Sequence, residues 1–193
     1  MHHLSAETLL QQLKGAIPSA SRRVLAVEGF RAAAVLVPLM LDERAPSFLL
    51  TKRTESVETH KGQISFPGGM AAEGDRDLIH TALRETEEEL GIDPRSVEVV
   101  GMLDDLATPT GFIITPVLGI LWRLPRLTPN PHEVADVFTV PVEFFRDPAR
   151  GKVQLVEFMG EHRELWYYET GDYIVWGATA MIIRSLLKQV DLV

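Results

Sequence analysis

The sequence predicts an α/β layered domain, and three observations carry that prediction. Short apolar runs bounded by turn residues recur at Ala32 to Leu41, Ser47 to Arg53, Val97 to Leu103, Phe112 to Leu121 and Val134 to Val140, and read as strands. Among them lies one helical stripe, in which Ile79, Ala82, Leu83, Thr86 and Leu90 recur at about 100° per residue. A second helical pattern closes the chain from Gly177 to Val190, with Met181, Ile182, Leu186 and Val190 on one side. At 193 residues, with 46% hydrophobic and 24% charged residues, the chain is predicted to be one domain over 1–193, its core spanning about 30–190.

Taken in order, Ser5 followed by Leu9, Leu10 and Leu13 and stopped by Gly15 predicts a short N-terminal helix over about 5–15. Arg22 to Arg31 is a basic lead-in. Ala32 to Leu41 is apolar throughout, as a strand buried on both faces would be. Asp42 to Pro46 is a turn, and SFLLTKR from Ser47 is the antiparallel return strand. A polar loop then leads to Phe66-Pro67-Gly68-Gly69. The helix after it starts on either Asp75 or Asp77 as N-cap and ends on Gly91 and Pro94, both stop signals. DDLATPTG joins the next two strands, Pro125 to His132 is an irregular loop, and Val153 to Phe158 with Leu165 to Tyr168 forms a hairpin around Gly160-Glu161. Trp176, at the start of the last helix, is assigned to the core.

A net charge of -8 argues against a non-specific nucleic-acid binder, so any anion site must be local. The absence of cysteine removes disulfides, a thiol nucleophile and Cys-ligated zinc. No apolar run reaches the ~18 residues of a membrane span, and the N-terminus has no signal-peptide pattern, which predicts a soluble, cytoplasmic protein without membrane partners.

The chemistry concentrates in Arg84-Glu85-Thr86-Glu87-Glu88-Glu89-Leu90-Gly91. Glu85, Glu88 and Glu89 stand three and four residues apart and share one side of the helix, beside the apolar stripe. Like charges at this spacing cost about 0.2–0.5 kcal/mol per pair even when exposed. A hard divalent cation offsets that cost, since Mg²⁺ takes carboxylate oxygens together with waters and substrate phosphates. A solvated glutamate-rich face is the alternative for such a run.

The order of residues around this run resembles the signature of the Nudix hydrolase superfamily, which reads Gly, five residues, Glu, seven residues, Arg-Glu, an apolar residue, any residue, Glu-Glu, any residue, Gly, apolar. Arg84 to Ile92 fits its second half. In the first half, Gly69 plus five leads to Asp75 and then to eight residues, a one-residue insertion with Asp for Glu. Upstream, Leu49-Leu50-Thr51-Lys52-Arg53, Gly62 and Phe66-Pro67-Gly68-Gly69 are similar to the extra signature of the coenzyme A pyrophosphatase branch. Thr54 replaces that pattern's Ser or Ala, and Glu58 stands where it has a basic residue. TPTGFIITPVLGI, NPHEV and YIVWGATAMIIRSLL also resemble that branch.

The resemblance implies an α/β/α sandwich with a mixed β-sheet, and a Mg²⁺- or Mn²⁺-dependent pyrophosphohydrolase. Its small-molecule nucleotide substrate is coenzyme A or acyl-CoA, cut to 3′,5′-ADP and 4′-phosphopantetheine or its acyl form. The catalytic set it implies is Arg84, Glu85, Glu88 and Glu89, with Glu85, Glu88, Glu89 and the Gly69 carbonyl as metal ligands and Arg84 orienting the acids. Arg53, Lys61 and Gly68 are the candidate substrate-binding residues; His60 is a weaker phosphate donor, and Glu133 a further carboxylate from a separate loop. ADP-ribose or a reduced pyridine dinucleotide is the alternative substrate left open by Glu58, and a nucleotide sensor without activity is the non-enzymatic alternative.

Overall fold

The longest strand pairing in the protein is parallel. In the computed structural model, which describes residues 5–17, 22–42, 45–55 and 62–193, β1 (Arg31–Met40) runs beside a distant strand of the chain from Arg31↔Phe112 to Met40↔Leu121. Helix α1 (Ala6–Ala16) precedes it, capped by Ser5, whose hydroxyl accepts from the Thr8 N–H at 3.1 Å. After β1 come β2 (Ser47–Arg53), the short β3 (Ile64–Ser65) and β4 (Gly68–Met70), and helix α2 (Leu78–Leu90). A 3-10 turn at Pro94–Ser96 leads to β5 (Glu98–Met102), β6 (Leu106–Ala107) and β7 (Phe112–Leu121), the parallel partner of β1. The chain continues through β8 (Val134–Pro141), α3 (Val142–Arg146), β9 (Gly151–Phe158), β10 (Glu161–Thr170), β11 (Tyr173–Trp176) and α4 (Gly177–Gln189).

All other pairs in the main sheet are antiparallel. On its second side β1 meets β2 at Leu39↔Phe48 and β4 at Ala34↔Gly69, while β2 pairs with β8 and β3, and β7 with β5 and β6. The sheet is therefore mixed, as expected, and β9 to β11 form a separate three-stranded antiparallel sheet.

Alternation along the strands sorts the core into two layers. Ala34, Leu36 and Leu49 pack with Ala82 and Leu90 of α2 on one face. Val37, Leu39, Phe48 and Leu50 pack on the other with Leu9 and Leu13 of α1 and Ile182, Ile183 and Leu186 of α4. This is an α/β/α arrangement, and because α1 contributes Leu9 and Leu13 the core begins well before residue 30.

Other differences from the sequence reading have local causes. Trp176 is 39% exposed and stacks parallel on Tyr167 at 6.1 Å, so it belongs to the outer face of the small sheet and not to the core. β3, β4, β6, α3 and β11 are too short to leave a periodic pattern. The hairpin strands are longer than expected, joined by a two-residue turn in which Met159 and Gly160 both have positive φ, the backbone that such tight turns require. The basic lead-in forms a strap: the Arg22 guanidinium and the Leu25 N–H both bind the buried carboxylate of Asp105, at 2.5 and 2.9 Å. Among the described residues no helix is long and apolar enough to cross a membrane.

Candidate active site

Asp77 caps α2, its carboxylate accepting from the His80 N–H at 2.7 Å, and Gly91 closes the helix in the left-handed conformation. Between these ends the three acids meet different surroundings. Glu89 is 3% exposed, the side chain of Glu85 16% and that of Glu88 56%. The helical spacing had placed them on one patch; the fold grades them from interior to solvent.

The gradient comes from β4. Gly68, at φ 152°, lies so close to β1 that an added Cβ would stand 2.6 Å from the Val35 Cα. An added Cβ on Gly69 would stand 2.5 Å from the Glu85 Cδ. The two glycines thus bring bare backbone against the acidic face, and the Gly68 N–H donates to Glu89 Oε2 at 3.2 Å. From β2, Arg53 reaches Glu89 Oε1 at 3.5 Å. The β2–β8 register shifts at this point, Lys52 pairing with Asp136 but Arg53 with Val134, so that Ala135 of β8 is the extra residue. Among the described residues the buried Arg53 Nε has no hydrogen-bond partner, a donor left for an anion.

Arg84 organises the solvent side. Its guanidinium donates to both oxygens of Asp75 at 2.9 and 3.0 Å, to Glu85 at 2.8 Å, to both oxygens of Glu88 at 3.2 Å and to the Met70 carbonyl at 3.2 Å. Asp75 is therefore no helix cap. It also accepts from the Ala72 N–H and the Thr81 hydroxyl and contacts His80. These bonds, that of Arg84 above all, hold its carboxyl far below the usual carboxylate range, and the same contact drives the Arg84 guanidinium upward.

Glu133 joins from the loop before β8. That loop is fastened to the end of α2, the Thr128 N–H donating to the Leu90 carbonyl and the Asn130 N–H to the Glu89 carbonyl at 2.9 and 2.8 Å. The Asn130 side chain then donates to Glu133 Oε1 at 2.9 Å. Burial pushes the Glu89 carboxyl up to about 7, and the negative charges of Glu133 and Glu85 add to the rise against the opposing pull of Arg53 and the Gly68 N–H. Burial likewise raises Glu85, against the pull of Arg84.

The donors suit a hard divalent cation. They are carboxylates in surplus over nearby positive charge, crowded so closely against the backbone of β4 that a side chain on Gly69 would displace the Glu85 carboxylate. Among the described residues no three acidic or histidine side chains stand close enough together to hold a metal ion by themselves.

The fold brings Arg53, Gly68, Gly69, Arg84, Glu85, Glu88 and Glu89 to one place. Lys61, His60 and Glu58 lie outside the described residues. A cavity of about 430 Å³ lined by Leu25, Phe30, Ala32, Leu78 and Ile113 opens at the other end of α2, and its buried carboxylate, Asp105, is already tied to Arg22, Leu25 and Thr115. Asn130 was missed in the sequence; its position three residues before Glu133 was the available signal.

Known proteins are similar to this chain in sequence and in fold. A protein of Enterobacter sp. (strain 638), named "Uncharacterized Nudix hydrolase NudL", is 38% identical over 191 residues, covering 99% of this chain and 97% of its own. "Nudix hydrolase 22, chloroplastic" of Arabidopsis thaliana is 40% identical over 158 residues, 78% of this chain and 52% of that protein. A MutT/nudix family protein from Enterococcus faecalis matches the fold with a TM-score of 0.57 over 98% of this chain and 71% of that one, at 16% identity. A NUDIX hydrolase from Alicyclobacillus acidocaldarius does so at 0.53 over 84% and 93%, at 18% identity. Since the NUDIX domain model matches residues 30–167 and such relatives span nearly the whole chain, this protein belongs to the Nudix hydrolase family.

Proposed function

We propose that the protein is a Mg²⁺- or Mn²⁺-dependent pyrophosphohydrolase that cuts coenzyme A and its acyl thioesters. The observation that carries the chemistry is the pressing of Gly68 and Gly69 against Glu89 and Glu85, one helical turn apart on α2. Glu89, Glu85, Glu88 and the Gly69 carbonyl are the groups that hold the cation. When bound, it neutralises phosphate charge and makes a water nucleophilic at neutral pH. Arg84 fixes the orientation of Glu85 and Glu88 and needs no contact with substrate. The Arg53 guanidinium, through the Nε not engaged by Glu89, binds phosphate oxygens beside Glu89, and the Gly68 backbone lines the same substrate site. A carboxylate of this set takes the proton of the attacking water. Water adds to one phosphorus of the central pyrophosphate as its bridging P–O bond breaks, yielding 3′,5′-ADP and 4′-phosphopantetheine or its acyl form.

Support for coenzyme A rests on the similarity of Leu49 to Arg53, Gly62 and Phe66 to Gly69 to the signature of that branch. In the fold these residues build β2 and β4 beside the acids. The test is a metal-supplemented panel of coenzyme A, acetyl-CoA, dephospho-coenzyme A, ADP-ribose and NADH, with products identified by chromatography. The expected outcome is release of 3′,5′-ADP from coenzyme A with the highest kcat/KM, abolished by chelator. Faster turnover of ADP-ribose or NADH would overturn the substrate and leave the metal chemistry; no turnover of any substrate would favour a binding protein.

A further inference from the structure

The small sheet ends in an unprotected edge. β9 pairs with β10 from Gly151↔Tyr168 to Phe158↔Glu161 without a register shift, and no described strand pairs with its other side. Free edges are normally guarded by proline, a bulge, a central charge or brevity. β9 has none of these: it is eight residues long, contains no proline, and carries its two charges, Lys152 and Glu157, near its ends. Two of its side chains, Val153 and Leu155, are 53% and 70% exposed.

Geometry says which groups the edge offers. The two-residue turn at Met159-Gly160 makes Phe158 and Glu161 the hydrogen-bonded closing pair. Alternate residues of β9 from Phe158 backwards therefore direct their N–H and C=O towards β10, while Gly151, Val153, Leu155 and Glu157 direct theirs outward. The Val153 and Leu155 side chains lie on the face of the small sheet shared with Trp166 and Tyr168, beyond the part of that face covered by α4.

We infer that β9 pairs antiparallel with β9 of a second copy of this chain, about a two-fold axis at Gln154, to form one continuous six-stranded sheet across a homodimer. The occupant follows from self-complementarity. A two-fold axis normal to the sheet keeps each face on its own side, so outward-directed residues meet outward-directed residues in every permitted register. Centred on Gln154, Val153 of each copy faces Leu155 of the other, and the four side chains make one apolar patch in place of two exposed ones. Gly151 faces Glu157, Lys152 faces Val156, and no like charges meet. Moving the centre to Leu155 sets Val153 against Glu157, and moving it to Val156 sets Leu155 against Glu157. An axis at Leu155 or at Val153 sets that residue against its own copy but leaves the other exposed apolar residue against Glu157 or Gly151, so only the Gln154 register gives both Val153 and Leu155 an apolar partner. This inference does not rest on the proposed substrate, since β9 belongs to the small sheet and the residues of the acidic site lie on α2 and on strands of the main sheet.

The absence of cysteine from the chain makes the register directly testable. At a Gln154 axis the two Gln154 residues form a non-hydrogen-bonded pair with Cα atoms about 4.5 Å apart, within the span of a disulfide. The full chain measured by size-exclusion chromatography with light scattering is expected at twice its 21.5 kDa mass. Under mild oxidation Gln154→Cys is expected to convert to a covalent dimer at least 10-fold faster than an exposed control, Lys188→Cys. The double variant Val153→Lys/Leu155→Lys is expected to run as a monomer with unchanged circular dichroism and unchanged hydrolysis per chain. A parent chain that is monomeric at about 50 µM would overturn the inference, as would a dimer that survives both lysines. A dimer in which Gln154→Cys crosslinks no faster than the control would overturn the register and with it the interface.

Discussion

Arg84 grips Asp75 with two parallel hydrogen bonds, Nε to Oδ1 at 2.9 Å and Nη2 to Oδ2 at 3.0 Å, while its remaining nitrogen holds Glu85 and Glu88. Asp75 thus reaches the Arg84 guanidinium from the loop before α2 and fixes it against the helix. Its buried carboxylate is taken up by Arg84, Thr81 and the Ala72 N–H, which makes it a positioning group. Asp75→Ala should lower kcat about 10- to 100-fold and raise the metal concentration for half-maximal activity, as loss of a group that orients ligands does. Steady-state rates over a Mg²⁺ titration check this. A variant whose rate drops with an unchanged metal requirement would place Asp75 outside the ligand-orienting network.

Direct loss of a carboxylate should cost more. Glu85→Gln and Glu89→Gln are each expected to lose about 10²-fold or more in kcat with circular dichroism unchanged, whereas Glu88→Gln, more than half exposed at its side chain, should lose less. Parent activity should vanish on chelation and return with Mg²⁺ or Mn²⁺. Full activity in both Glu85→Gln and Glu89→Gln would remove this patch from the mechanism.

The adjacent glycines separate stability from activity. At Gly68 a methyl group collides with β1 backbone at a positive φ, so Gly68→Ala should cost about 2–3 kcal/mol and lower Tm by about 5–10 °C. At Gly69 the methyl group meets only the Glu85 carboxylate, the end of a side chain that can rotate away. Gly69→Ala should therefore melt near the parent but lose at least 10-fold in kcat as Glu85 is displaced. Calorimetry and rates on the same preparations test the contrast, and a Gly69→Ala protein as active as the parent would contradict it.

What the sequence disclosed depended on how far each feature reaches along the chain. β1, β2, β7 and the two long helices span many residues with one period, and their observed limits lie within a residue of the expected ones. The expected set of acids was likewise readable, because Arg84 to Gly91 is contiguous. Their unequal burial was not. It depends on Gly68 and Gly69, which carry no side chain to signal a strand and which read as a loop. The choice between Asp75 and Asp77 needed the insertion's three-dimensional path, and Asn130 acts through a loop fastened to α2 from nearly forty residues away. Trp176 was misassigned because an aromatic residue beside an apolar helix usually packs inward, whereas here it closes an outer ladder with Tyr167.

The burial of Glu89 predicts an unusual dependence of stability on pH in the absence of metal. Its folded-state carboxyl is raised to about 7 from an ordinary value of 4.5, so between these values the folded protein keeps a proton that the unfolded chain has released. Such a group stabilises the unfolded state relative to the folded one as pH rises, and stability falls across the window from about 4.5 to 7. The raised Glu85 acts in the same direction, while the depressed Asp75 takes effect only at lower pH. For Glu89 the full span is worth about 3 kcal/mol. Metal-free protein in chelator should thus melt several degrees higher at pH 5 than at pH 7.5, and Glu89→Gln should flatten that slope and exceed the parent's Tm at pH 7.5. Added Mg²⁺ should reverse the parent's trend, because a cation binds the ionised carboxylates and stabilises the folded state more as pH rises. Melting curves at both pH values, with chelator and with Mg²⁺, decide the matter: a metal-free parent that is more stable at pH 7.5 than at pH 5 would show that Glu89 is ionised without cost, and that its crowding with Glu85 and Glu133 is relieved by something other than a proton or a cation.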